Sequence, residues 1–250
     1  MRAIIRMVNH TRLDCLIGSA AGMRWGVAQA VHHARHRMAF GKLLSEQPLM
    51  LNVLADLAIE AEAATASAMR VARAYDEEDG PFRRFATAVM KYWVCKRAPQ
   101  HALEALECLG GNGYVEESGM PRLLRDSPLN SIWEGSGNVA ALDVLRAMVK
   151  EPEGLPAFLE ECDEARGADP RLDAHLDAVR AVLPPTEPQL EARRLVEQLA
   201  IALQGSLLVR YAPDAVADAF CARLGTGGRA FGTLPAGVDT AAIVERTLGA

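Results

Sequence analysis

The sequence predicts an all-α protein, an antiparallel bundle of long helices followed by a smaller helical C-terminal domain. Three observations carry this. Half of the residues are hydrophobic but only 5% are aromatic, an alanine- and leucine-rich balance that suits close-packed helices better than a sheet. Apolar residues recur at helical spacing over long stretches, and no segment alternates convincingly with period two. Glycine and proline clusters punctuate these stretches and leave room only for short connections.

The first helix is expected from about Asn9 to Arg37, with Leu13, Ile17, Ala20, Ala21, Met23, Val27, Ala28 and Val31 forming its apolar stripe. Ala39-Phe40-Gly41 interrupts it. A second helix opens at Gln47-Pro48, where proline suits a first turn, and runs on a stripe of Leu49, Val53, Leu57, Ala61, Ala64 and Ala68. Its alanine seam lets a neighbouring helix approach closely. Asp79-Gly80-Pro81 breaks the chain before a third helix, Phe82 to Leu109, with Ala86, Val89, Met90, Trp93, Val94, Leu103 and Leu106 inward and a kink expected at Pro99. Gly110-Gly111-Asn112-Gly113 ends that helix. A short helical piece spans Pro121 to Arg125, and a fourth long helix follows Gly137 and runs to about Lys150 through Val139, Leu142, Val144, Leu145 and Met148.

The composition changes after Lys150. Glu151 to Pro156 reads as a linker, which divides the chain into domains at 1–150 and 151–250. Helices are expected at 157–166, 172–182, 189–208 and 214–223, before a glycine-rich stretch, Gly225-Thr226-Gly227-Gly228. The second part holds no lysine and has a net charge of −7, leaving +2 for residues 1–150. The whole chain, at −5, makes no electrostatic case for nucleic acid or an acidic membrane surface. Five scattered cysteines have no Cys-x-x-Cys spacing and no nearby His pair, so they read as buried core residues in a reducing compartment rather than metal ligands. No apolar run is long enough to span a bilayer, and Met1 to Val8 lacks the apolar core of a signal peptide. A cytoplasmic location is expected.

Residues 107–138 carry the chemistry. They join a glycine turn, the arginines Arg122 and Arg125, and a lone carboxylate, Glu134, in a glycine-flanked loop before a helix. Gly110, Gly111 and Gly113 would let a backbone come close to a phosphate-bearing ligand, although a helix C-terminus uses glycine anyway. They follow no strand, so a Rossmann loop is excluded. Glu134 next to Trp133 reads two ways. In a dry pocket it is a base competent near neutral pH; beside the next helix N-terminus it is a stabilised anion with only a structural part.

Arg37-Met-Ala-Phe-Gly-Lys-Leu-Leu44, Leu109-Gly-Gly-Asn-Gly113, Arg125-Asp126 and Trp133-Glu-Gly-Ser136 together resemble the acyl-CoA dehydrogenase signature in order and spacing. Ser45-Glu-Gln-Pro-Leu-Met50, Val115-Glu-Glu-Ser118 and Asn130 to Asn138 resemble the family's AidB-type, alkylation-response branch. The resemblance is strong over 1–150 and looser beyond. It implies an FAD-dependent oxidoreductase in which Glu134 removes the α-proton of an acyl-CoA thioester and the β-hydrogen leaves as hydride to the flavin. Arg37 and Phe40 match positions that contact the FAD of a neighbouring subunit through its pyrophosphate and adenine. Gly110 and Gly111 match the glycine loop facing that cofactor, Ser136 and Asn138 the polar pair after the base, and Arg12 a CoA-binding arginine. Gln47 falls one residue short of the family's flavin-contacting glutamine, with Pro48 in its place. Ser136 and Asn138 are shorter than the usual threonine and glutamine, and Asn9 replaces a CoA-contacting aspartate.

The resemblance further implies a homo-oligomer, a dimer of dimers built through this helical half. It also implies an N-terminal α-helical domain and a β-domain that covers the flavin ring; this sequence starts after them, which a truncated gene, a separate partner or a mis-called start codon would each explain. A flavin half-site without its other wall is expected to bind weakly. Two other functional classes compete. The branch suggests DNA protection, which would need a local arginine patch (Arg193, Arg194, Arg210, Arg223) to overcome the acidic second part. A catalytically silent helical assembly module is the third.

Overall fold

The computed structural model describes residues 2–224 and 231–249; the Gly225–Gly228 stretch lies outside them. The described chain is almost entirely helical. Helix α1 runs Arg2–His36, α2 Pro48–Asp76 and α3 Gly80–Cys108, followed by the single turn α4 (Gly111–Tyr114), α5 (Met120–Asp126) and α6 (Gly137–Lys150). Beyond these lie α7 (Gly154–Asp163), α8 (Pro170–Ala181), α9 (Pro188–Tyr211), α10 (Asp214–Arg223) and α11 (Thr240–Gly249).

Helices α1, α2, α3 and α6 run up, down, up and down. The Tyr75 hydroxyl at the end of α2 donates to the Asn9 carbonyl at the start of α1, His101 late in α3 meets the Leu57 carbonyl early in α2, and Gly137 and Asp143 of α6 lie against Tyr92 and Arg84 of α3. Their shared faces are apolar: Leu16, Met23, Val27 and Val31 from α1, Leu54, Leu57, Ala61, Ala64 and Ala68 from α2, and Val89, Met90 and Val94 from α3 are all buried. The alanine seam of α2 is the part of its expected stripe that is inside. Leu49, at the open end of α2, is 78% exposed, and Leu103, Val139 and Leu142 are also exposed.

Breakers and caps set the boundaries. Proline stands in the first turn of α2, α3, α5, α8 and α9, where its missing N–H forfeits no helical bond. The Asp169 carboxylate caps α8 by accepting from the Arg171 and Leu172 amides.

Four expectations are corrected. The first helix begins at Arg2 rather than near Asn9, since nothing before Asn9 breaks it. Ala39-Phe40-Gly41 is not a bare interruption but part of a small antiparallel hairpin, β1 (Met38–Ala39) with β2 (Lys42–Leu43). Phe40 and Gly41 both have positive φ, 53° and 79°, which is the tight turn that matches strand twist. The linker is only Glu151–Glu153, because α7 starts at Gly154 and takes Pro156 into its first turn. Helix α11 has no counterpart in the sequence reading.

The second half packs onto the bundle, and one continuous buried cluster includes residues of both. Phe158 of α7 lies 5.9 Å from Phe82 and 5.4 Å from Phe85, ring centre to ring centre. All five cysteines are buried. Among the described residues no helix is long and apolar enough to cross a membrane.

Candidate active site

The residues singled out in the sequence fall into two groups at opposite ends of α1 and α3. At the C-terminal end of α1, the hairpin lifts Phe40 clear of the protein at 98% exposure. Arg37, exposed, lines a cavity of about 470 Å³ with His33, Met50, Glu107, Gly110, Gly111 and Asn112. Gln47 lies nearby but is committed locally, its Nε2 donating to the Ala39 carbonyl at 2.9 Å and bracing the hairpin.

The three glycines of the loop divide by role. A Cβ on Gly113 would sit 2.2 Å from the Leu106 carbonyl oxygen, so that glycine serves the protein's own close packing. Nothing lies within 4 Å of where a Cβ on Gly110 or Gly111 would stand. Those two are bare toward the cavity, and Gly110 adopts φ 58°, ψ −139°, a region for glycine alone. A phosphate-bearing group can therefore approach the backbone here with the Arg37 guanidinium beside it, a charged donor that suits a pyrophosphate, while the Gly110 amide itself is taken by the Glu107 carbonyl at 2.9 Å.

The second group surrounds Glu134. Trp133, Glu134 and Gly135 form a tight turn before α6, and Glu134 has φ 56°, a left-handed conformation uncommon for a residue with a side chain. Three consecutive carbonyls of this turn are held from behind. Arg12 Nε donates to the Glu134 oxygen at 3.0 Å, and Lys91 Nζ to those of Trp133 and Gly135 at 2.9 and 2.6 Å. Glu134 is half-buried. Trp133 is 51% exposed, its indole N–H donating to Asn130, so it does not by itself seal the carboxylate from water. Ser136 is the exposed N-cap residue of α6 and makes no side-chain capping bond. Asn138, also exposed, accepts from Arg193 Nε of α9 at 2.8 Å.

Arg12, which the resemblance matches to a CoA-binding arginine, is already engaged within the protein. It is 7% exposed, and its Nη1 pairs with Asp143 at 2.6 Å. It still lines a cleft of about 580 Å³ with Asn9, Arg84, Arg146 and Lys150. Asp143 and Lys91 were both missed in the sequence. Lys91 had a signal, a lysine on the core-facing stripe of α3, but its partners in the loop lie more than 40 residues away.

Of the four arginines on which a DNA-binding role would depend, Arg194 is exposed and the other three are engaged within the protein. Arg210 pairs with Glu161, Arg223 pairs with Asp56 and Glu60, and Arg193 binds Asn138. Among the described residues no cluster of His, Cys, Asp or Glu has metal-holding geometry.

Residues 1–149 match the family description "Acyl-CoA dehydrogenase, C-terminal domain", and the chain belongs to the acyl-CoA dehydrogenase family. It is 39% identical over 225 residues to the putative acyl-CoA dehydrogenase AidB of Escherichia coli (strain K12), a match covering 88% of this chain and 41% of that protein. The crystal structure of Caenorhabditis elegans ACDH-11 in complex with C11-CoA superposes with a TM-score of 0.74 at 27% identity, over 88% of this chain and 42% of that one. An acyl-CoA dehydrogenase from Bacillus anthracis, complexed with FAD, shares the fold at TM-score 0.67 and 15% identity, over 88% of this chain and 48% of the other. The chain thus spans about two fifths of the length of the relatives it matches.

Proposed function

We propose that this chain supplies the helical half of an FAD-dependent acyl-CoA dehydrogenase-type oxidoreductase, acting on the CH–CH bond next to an acyl-CoA thioester in the cytoplasm. The observation that carries the proposal is the pairing of Arg37 with the bare Gly110–Gly111 backbone around one cavity, beside the fully exposed Phe40. Arg37 and the glycine backbone would hold the pyrophosphate, and Phe40 the adenine. Bound, the flavin supplies the hydride acceptor for the β-hydrogen. Glu134 takes the α-proton onto its carboxylate, Ser136 and Asn138 orient the ring system, and the cleft beside Arg12 receives the thioester's polar end.

The two groups lie roughly 28–38 Å apart, counted along α3 from Lys91 to Gly110 and along α1 from Arg12 to Arg37. One dinucleotide does not bridge that distance, so each flavin draws its pyrophosphate site from one copy and its base from another. This supports a homo-oligomer, a dimer of dimers.

The test is retention of flavin absorbance after incubation with FAD and desalting. The wild-type chain is expected to keep the flavin band and Arg37→Ala to lose it. Retention that is equal in both, or absent in both, refutes the assignment. In the flavin-loaded protein, Glu134→Gln is expected to keep the band while lowering acyl-CoA oxidation by about a thousandfold.

A further inference from the structure

Lys91 is 1% exposed on the core face of α3. Taking an ammonium out of water is unfavourable unless its donors are fully used. Among the described residues it makes no ion pair with a carboxylate; the groups around it are the thiols of Cys15 and Cys95, the Arg12 guanidinium and Glu134. Burial, opposed by those thiols, lowers its pKa from the ordinary lysine value. Its charge is directed instead at two backbone oxygens, those of Trp133 and Gly135, which flank Glu134. Arg12 takes the oxygen between them. A side chain in the left-handed region persists only where its surroundings over-determine the backbone, and here two cations from two helices grip three successive carbonyls.

We propose that Lys91, acting with Arg12, is a positioning residue for Glu134, holding residues 133–135 in their left-handed turn and so fixing where the carboxylate is presented. This rests on the reading of Glu134 as the base. A lysine that merely ties α3 to its neighbours would stabilise the fold as a whole, whereas a clamp acts on the loop. Charge-assisted bonds to carbonyls are the stronger kind, so losing two of them should open the loop well before it affects the bundle.

The experiment uses the full chain with Lys91→Met, an unbranched side chain one atom shorter that removes the charge. Hydrogen exchange of amides 131–137 is expected to accelerate about tenfold, with α3 and α6 amides changing by less than about twofold. In a background with Trp25→Phe and Trp93→Phe, acrylamide quenching of Trp133 is expected to rise. Unchanged loop exchange, or acceleration spread evenly over α3 and α6, overturns the proposal.

A thermal comparison tests the strain itself. Glu134→Gly is expected to melt about 3 °C above Glu134→Ala while Lys91 is present, and within about 1 °C of it once Lys91 is replaced. Equal gaps in both backgrounds overturn the proposal. Lys91→Gln serves the same comparisons where the methionine variant does not fold. None of these readouts involves turnover, so they can fail while Glu134→Gln still abolishes oxidation, and the reverse.

Discussion

Asp143 shows how a single buried carboxylate organises the surroundings of the candidate base. It meets Arg12 at 2.6 Å, Arg84 at 3.0 Å and Arg146 at 3.7 Å. Burial pushes its carboxyl up, but Arg84 and Arg12 outweigh that and hold it below the usual aspartate range. Asp143→Asn strands two largely buried guanidiniums and is expected to cost about 3 kcal/mol in urea unfolding. Arg146→Ala removes a side chain that is 65% exposed, and a change below about 0.5 kcal/mol is expected. If the two variants cost the same, the pair with Arg12 and Arg84 is not what the carboxylate serves. A depressed carboxyl stabilises the fold above its unfolded value of 3.8 and loses that contribution as pH falls through the folded value. The Asp143→Asn penalty should therefore shrink below about pH 4. None of this was legible in the sequence, because Asp143 and Arg12 are 131 positions apart. Glu134 was legible because its loop, turn residues and following helix are contiguous, but the two cations that grip its carbonyls come from α1 and α3.

Where α2, α3 and α10 meet, two carboxylates one turn apart share two arginines. Glu60 accepts from Arg97 at 3.0 Å and Arg223 at 2.8 Å, while Asp56 faces Arg223 at 3.1 Å and accepts the Gly232 amide at 3.0 Å. Burial works against both charges, but its outcome differs. Arg223 and Arg97 overcome it at Glu60 and hold that carboxyl down at about 2, whereas at Asp56 burial wins and the carboxyl is raised. Glu60→Gln is thus expected to cost about 3 kcal/mol at pH 7, and Asp56→Asn about 1 kcal/mol or less. Glu60 stabilises above its unfolded value of 4.5, and that contribution fades as pH falls toward about 2. Asp56 has the opposite sign, contributing below 3.8 and losing it as pH rises through its folded value. Unfolding at pH 3 and pH 7 checks both, and an Asp56→Asn cost above that of Glu60→Gln would contradict the assignment. At this scale the sequence was most informative. The long helices follow from apolar spacing, prolines in first turns and glycine stops, which are local signals. The hairpin under Phe40 was missed because a two-residue strand is too short to alternate, and α11 because only its packing on α1 and α2 distinguishes it from a tail.

For the molecule as a whole, the question is whether residues 1–150 stand alone, as the change in composition after Lys150 suggests. The contacts argue for dependence. Phe82 and Phe85 are fully buried with the Phe158 ring against both, and full exposure of either would cost about 1.5–3 kcal/mol. Arg70, paired with Glu161 at 2.6 Å, would keep only its longer contact with Asp79 at 3.6 Å, and the Trp93 indole would lose its Gln204 acceptor. These losses together approach the about 5–15 kcal/mol that holds an ordinary domain folded. A fragment ending at Lys150 is therefore expected to bind a hydrophobic dye and to melt without a cooperative transition. The full chain should melt cooperatively at the same concentration. The loss would reach the candidate site as well, since Arg193 of α9 braces Asn138 at the start of α6, just past the loop that carries Glu134. A fragment with a sharp melting curve, no dye binding and flavin retention equal to the full chain would show that the bundle is independent and that the acidic helices beyond it have another purpose.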